Sequence, residues 1–265
     1  VPRPKSFEIR IAGAKVDERE LLLADLHSTD SQIRREAFER LLKLGPAVDE
    51  LFRDRFPGKI TFNPLTEEVQ LPPFGQCSGL LEYIEARGAS ASSIVLPHLE
   101  NSNALSRFFA LYFLHTVHVP EGLEASARRL YDSEPAIRYM AAETIRKYRV
   151  HPAYSQIIDG LVRQLQVPVH EIQVAAIQVL GQLREKTAVP ALIPLLATPH
   201  SPTVVAVASS LAVICAQELG TRVTRWASWW KRHYHEPRTA WLITGLRHSN
   251  SAIRRIACNE LRMLT

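Results

Sequence analysis

Glycine and sulfur are scarce in this sequence: 11 glycines, 3 cysteines and 2 methionines in 265 residues. With so few glycines, and with apolar residues falling mostly at helical spacing, neither an all-β fold nor a glycine-rich nucleotide-binding fold is expected. Cys77, Cys215 and Cys258 are widely separated, odd in number and contain no CxxC pair. That argues against a disulfide framework and a thiolate zinc site, and fits a reducing compartment, so a cytoplasmic location is expected. No apolar run reaches the roughly 18 to 20 residues that span a bilayer, and no charged-then-apolar leader opens the chain. The first residue is Val1, which leaves open a longer parent chain with an upstream signal or anchor.

Charge of one sign never accumulates. The net charge of +5 and pI near 9.2 are spread along the chain without a run of five like charges. This permits an acidic partner, nucleic acid included, and equally describes a solvated basic surface.

Recognisable catalytic motifs are absent too. There is no glycine-rich phosphate loop, no GxSxG elbow and no kinase signature. The seven aspartates are scattered, and of ten histidines only His115-x-x-His118 and His233-x-His235 cluster. Neither has the HExxH spacing that brings two imidazoles and a base to one helix face. No catalytic residue, metal or cofactor is expected.

What is present is a repeat. An Ile-Arg-x-x-Ala-like pattern recurs with its last residue at Ala37, Ala110, Ala141, Ala176, Ala208 and Ala257. The four central copies step by 31, 35 and 32 residues, whereas the outer gaps are 73 and 49 residues. A first apolar helix precedes each copy, as in Leu21 to Leu26 or Val189 to Leu196. Between the two lie cap-forming turns such as Ser28-Thr29-Asp30, Asn101-Ser102-Asn103 and Ser249-Asn250-Ser251. Prolines near the first-helix starts, Pro97, Pro120 and Pro190 among them, stand where a missing N–H costs least. Each unit therefore reads as helix, turn, helix.

The Pro-marked first helix with Leu-Leu, the capping turn, Ile-Arg-x-x-Ala and a Leu-Gly ending, as in Leu44-Gly45, resemble HEAT repeats over about 210 residues. The resemblance implies an all-α, right-handed α-solenoid of five to six helical hairpins over 17–265, after an N-terminal extension, 1–16, that can supply a strand. It says little about activity, because such repeats serve scaffolds, transport receptors, some DNA glycosylases and bilin lyases. The expectation is a non-catalytic scaffold binding another protein through the concave helical face. The alternative is a nucleic-acid-binding protein of the HEAT-like DNA glycosylase type.

Two interruptions stand out. Over 57–75 apolar and polar residues alternate around Asn63-Pro64, which predicts a small β-hairpin near 58–72, with Phe62 as a contact candidate. This insertion is either a specificity element or a cover for the first repeats. Over 222–235, Trp226, Trp229, Trp230 and His233 share one helix face, in a segment that resembles the C-terminal arrangement of some bacterial HEAT-repeat proteins. The indoles are either the core under an extra helix or, if exposed beside Lys231 and Arg232, an aromatic platform for a protein or a base. Finally, Arg34, Arg107, Arg138 and Arg254 recur at one place in the motif. They either hold the array together or form a binding ladder.

Overall fold

The computed structural model describes residues 8–11, 14–60, 62–66 and 71–262. Strands β1 (Glu8–Ile11) and β2 (Ala14–Asp17) pair antiparallel, Glu8 opposite Asp17. The rest is helical and divides into two compact units, 1–144 and 145–265. The first holds α1 (Glu18–Asp25), α2 (Ser31–Leu44), α3 (Asp49–Arg55), α4 (Phe74–Cys77), α5 (Gly79–Arg87), α6 (Ser92–Val95), α7 (Ala104–Thr116) and α8 (Leu123–Arg128). Helix α9 (Pro135–Arg146) crosses the division. The second unit holds α10 (Pro152–Gln164), α11 (His170–Gln182), α12 (Val189–Leu192), α13 (Ser201–Cys215), α14 (Val223–His233), α15 (Arg238–Gly245) and α16 (Ser251–Arg262). The six expected second helices are α2, α7, α9, α11, α13 and α16.

Most of these helices begin where a turn side chain supplies a cap; Val169 before α11 supplies none. Asp30 Oδ1 accepts the Gln32 and Ile33 amides, Asn103 Oδ1 accepts those of Leu105 and Ser106, and Asn250 Oδ1 accepts that of Ala252. A side chain two residues earlier fixes the capping residue itself. Ser28 Oγ, Asn101 Oδ1, Asp132 Oδ1 and His248 Nδ1 accept the amides of Asp30, Asn103, Glu134 and Asn250. Each cap removes an orphan amide and stabilises its helix by about 1 kcal/mol.

Seven residues after the cap comes the small buried residue of the motif: Ala37, Ala110, Ala141, Ala176 and Ala257 are all in the core. The fifth copy shifts by one. Counted from the cap His200, the seventh place is Val207, which is fully buried, whereas Ala208 is half-buried. The close approach continues along α11, where a Cβ on Gly181 would stand 3.1 Å from the Ser210 Cα of α13.

The hairpin expected near 58–72 is not formed. The described residues between Pro57 and Pro73 carry no strand; Asn63 to Thr66 form a turn in which Asn63 Oδ1 accepts the Leu65 amide. Pro57, Pro64, Pro72 and Pro73 have no amide to give a ladder. The alternation instead reflects packing. Pro64 is buried, Phe62 meets the Phe109 ring edge-on at 6.3 Å, and the Pro72 carbonyl accepts from Tyr112 Oη at 3.0 Å.

The long gap that holds this loop also holds two helices. In α5, Leu80, Leu81, Tyr83 and Ile84 are buried; Phe52 of α3 packs edge-on against Tyr83 at 4.6 Å, and Arg87 pairs with Asp49 at the start of α3. The 73-residue interval is thus two repeat lengths with a degenerate helix pair inside.

His98 joins this pair to the next hairpin. Its ring stacks on Phe56 at 4.5 Å and its Nε2 donates to the Arg53 carbonyl at 3.0 Å. Burial, helped by the Arg53 charge, lowers its pKa below 6.5 despite the opposing effects of that carbonyl and of Asp54. The unfolded chain therefore takes up the proton first, and stability is lost as pH falls from about 6.5. Thermal unfolding at pH 7.5 and 5.5 should show a drop in Tm that is smaller in His98→Gln.

Candidate interaction site

The four repeated arginines occupy one register position, four residues after the cap, and do one job. Arg107 Nη1 donates to the carbonyls of Asn101 and Ser102, both at 2.9 Å. Arg138 Nη1 does the same to Asp132 and Ser133 at 2.7 and 2.9 Å, and Arg254 Nη1 to His248 and Ser249 at 2.8 and 2.7 Å. Arg34 Nη1 reaches the Ser28 carbonyl at 2.5 Å. Each guanidinium closes the turn between its own two helices, using carbonyls that the helix end leaves unpaired.

Only Arg107 extends to the next hairpin, with two parallel bonds of 2.8 Å to Asp132. Burial alone would raise the Asp132 pKa, but the Arg107 bonds, the Glu134 amide and the charges of Arg107 and Arg129 outweigh it and lower it. Of the four, Arg107 is buried, Arg138 half-buried, and Arg34 and Arg254 exposed.

The aromatic stripe faces inward. Trp226 is fully buried with its Nε1 donating to the Gly220 carbonyl at 2.8 Å. Trp229 is buried between the His233 ring, stacked at 4.9 Å, and Trp241, edge-on at 5.0 Å. Trp230 is half-buried against Trp241 and Tyr234. Trp226 and Trp229 anchor α14 and present no open ring face on which a base could stack.

A second polar position went unrecognised in the sequence. Ten residues after the cap, Thr144 Oγ1 of α9 donates to the Leu111 carbonyl of α7 at 3.1 Å, and Ser210 Oγ of α13 to the Ile177 carbonyl of α11 at 3.0 Å. In α16 the same position is Glu260, also buried. Its Oε2 accepts from Arg146 and Arg238 at 2.8 and 3.0 Å, and its Oε1 pairs with Arg184. Arg238 also donates to the Ile214 and Val213 carbonyls at the end of α13, at 2.8 and 3.2 Å. Burial pulls the Arg238 pKa down to about 10, against the pull of Glu260, so it stays charged at neutral pH. Counting from the cap would have found Glu260; nothing in their spacing announces Arg146, Arg184 and Arg238.

The remaining chemistry is quiet. Burial raises the Cys77 thiol to about 11 and moves Cys215 upward as well, so neither is a ready nucleophile. Among the described residues no group of three or more His, Cys, Asp or Glu is placed to hold a metal ion, and no helix is long and apolar enough to cross a membrane.

Large apolar side chains nevertheless remain in water on four of the second helices. Ile33 and Ile172 stand three residues after their caps, Tyr139 and Val205 five. In the second unit α11 and α13 pack side by side, with Ile172 42% and Val205 58% exposed.

A family model described as HEAT repeats matches residues 120–212, from the approach to α8 through most of α13. Among solved structures, an engineered protein aligns at 17% identity over 93% of this chain and 96% of its own, with a TM-score of 0.32. The complex of CpcE and CpcF of phycocyanin lyase from Nostoc sp. aligns at 18% identity over 97% and 79%, with a TM-score of 0.33. No curated protein matches the sequence.

Glu260 is the residue on which this part of the second unit turns. Replacing it by Ala leaves three largely buried guanidiniums without their shared carboxylate, at a cost of about 3–5 kcal/mol. Denaturant unfolding should show that loss for Glu260→Ala and a smaller one for Glu260→Gln, which keeps an acceptor.

Proposed function

Residues 120–212 are HEAT repeats, and we propose that the chain is a non-catalytic protein-binding module whose second helices take up the partner. The observation that carries this reading is the apolar pair Ile172 and Val205 on neighbouring helices, with Ile33 and Tyr139 at the same register positions in the first unit. A single exposed apolar residue needs no explanation. Ile172 and Val205 stand on two helices packed side by side whose other faces are well buried, which makes them a paired surface rather than a scattered one. An amphipathic helix of a partner laid across α11 and α13 would remove these side chains from water. Each would then contribute up to about 1.5–3 kcal/mol.

The repeated arginines support this reading indirectly, since they fix the turns and so hold the second helices at the spacing a partner would meet. The test is to identify the partner by affinity capture and mass spectrometry, then titrate the purified pair by calorimetry. Ile172→Asp with Val205→Asp should weaken binding by at least about tenfold and, both sites being exposed, leave Tm within a few degrees. Unchanged affinity for this double variant and for Tyr139→Asp would overturn the proposal.

A further inference from the structure

The outward face of α14 is as one-sided as its inner face. From Val223 to His233 the helix contains no acidic residue; Arg222 precedes it, and Arg225, Lys231 and Arg232 project into solvent. Among the described residues none of these four forms an ion pair. The neighbouring carboxylates are already engaged: Glu236 with His233 Nδ1 at 3.1 Å, and Glu218 with Asn250 Nδ2 at 2.6 Å. Helix stability does not call for the charges near the N-terminus, because cations in a first turn oppose the macrodipole.

Between Arg225 and Arg232 lies an open groove of about 340 Å³ formed by Leu219, Thr224, Ser228 and Trp229. Its floor is apolar and its two ends are basic. The two arginines are seven residues apart, about 10 Å along the helix. Side chains four residues apart in an extended peptide share one face about 13 Å apart, with the midway side chain on that face too, and the long arginine side chains span the difference.

We propose that this groove binds an extended acidic segment of a partner protein, with two carboxylates four residues apart meeting Arg225 and Arg232 and the apolar side chain midway between them, on the same face, resting against Leu219 and Trp229. The charge complementarity selects the segment, since arginine forks pair with carboxylates in two-bond geometry. The apolar floor demands the residue between them, which a chain of phosphates does not supply. The inference names a second contact for the partner proposed above and rests on that reading.

The probe is a fluorescein-labelled peptide, Ser-Glu-Thr-Leu-Thr-Glu-Ser, followed by fluorescence polarisation, with a twelve-residue oligothymidine measured in parallel. Wild-type protein should bind the peptide. Arg225→Glu with Arg232→Glu should weaken it at least about tenfold with an unchanged circular dichroism spectrum, and peptides with Glu replaced by Gln or Leu by Ser should bind more weakly. Ile172→Asp with Val205→Asp should bind it as wild type does, so loss of the helical-face reading and loss of this one are read separately. The proposal is overturned by no peptide binding at about 1 mM protein, or by binding indifferent to the arginine or glutamate changes. It is also overturned if oligothymidine binds more tightly than the peptide and is lost in the arginine variant, which would assign the face to nucleic acid.

Discussion

A helical hairpin must turn its chain within a few residues, and the carbonyls at that turn have no helix to accept them. The structure answers with one side chain: an arginine on the first turn of the second helix, donating back to the carbonyls five and six residues earlier, at Arg107, Arg138 and Arg254, with Arg34 making the six-residue bond. A single Nη1 reaches both carbonyls, which leaves the rest of the guanidinium for other partners, as Arg107 uses Nε and Nη2 for Asp132; a lysine has no second nitrogen to do this. With the turn closed, the entry angle of the second helix is set, and the small residue three places later is held where the next helix must approach. The two copies without the arginine differ: α13 has Val204 at that position, and α11 has Gln173, which reaches a carbonyl eight residues earlier. Gln173 in α11 donates Nε2 to the Leu165 carbonyl at 2.8 Å and accepts from Thr203 Oγ1 at 3.3 Å.

The close approach so produced has a polar consequence. Backbone carbonyls of one second helix come within reach of the next, and the hydroxyls of Thr144 and Ser210 satisfy them without adding bulk. A carboxylate in that position, as at Glu260, cannot bond a carbonyl and must instead collect donors. Three arginines from otherwise separate parts of the second unit supply them. The last hairpin is thereby fastened by charge where earlier ones are fastened by hydroxyls. Such an arrangement is intolerant of truncation, because removing one partner leaves the others charged and out of water.

The hairpin pattern was legible because it rests on local chemistry. Caps, prolines and the Ile-Arg-x-x-Ala register are short-range rules, and all six second helices lie where those rules put them. The failures came where distant residues decide. The alternation around Asn63-Pro64 reads as a strand pair, yet with four prolines withdrawn from any ladder the segment gains more by setting Phe62 against α7 and burying Pro64. The degenerate pair α3 and α5 was invisible because Gly79 to Arg87 lacks the motif arginine and alanine, though its Leu80, Leu81 and Ile84 pack as fully as any. For the interaction residues, the sequence could name arginines and tryptophans but not say which atoms faced water. Trp226 and Trp229 went to the core, and Arg107 to Asp132.

Burial of the tryptophans bears on function through the side of the helix they vacate. An eleven-residue helix inserted between α13 and α15 needs a large apolar anchor, and the indoles, meeting Trp241 under the Lys186 ammonium, provide it. Since the anchor occupies the inner stripe, the outer stripe is free of packing duty and can carry an unbalanced charge at little cost to stability. A repeat helix has less such freedom, because its opposite sides meet neighbouring helices and leave only a narrow stripe in water, such as that of Ile172 or Val205. An inserted helix, held by one face only, is therefore the place in this fold where a recognition surface can be added without disturbing the register that the arginines maintain.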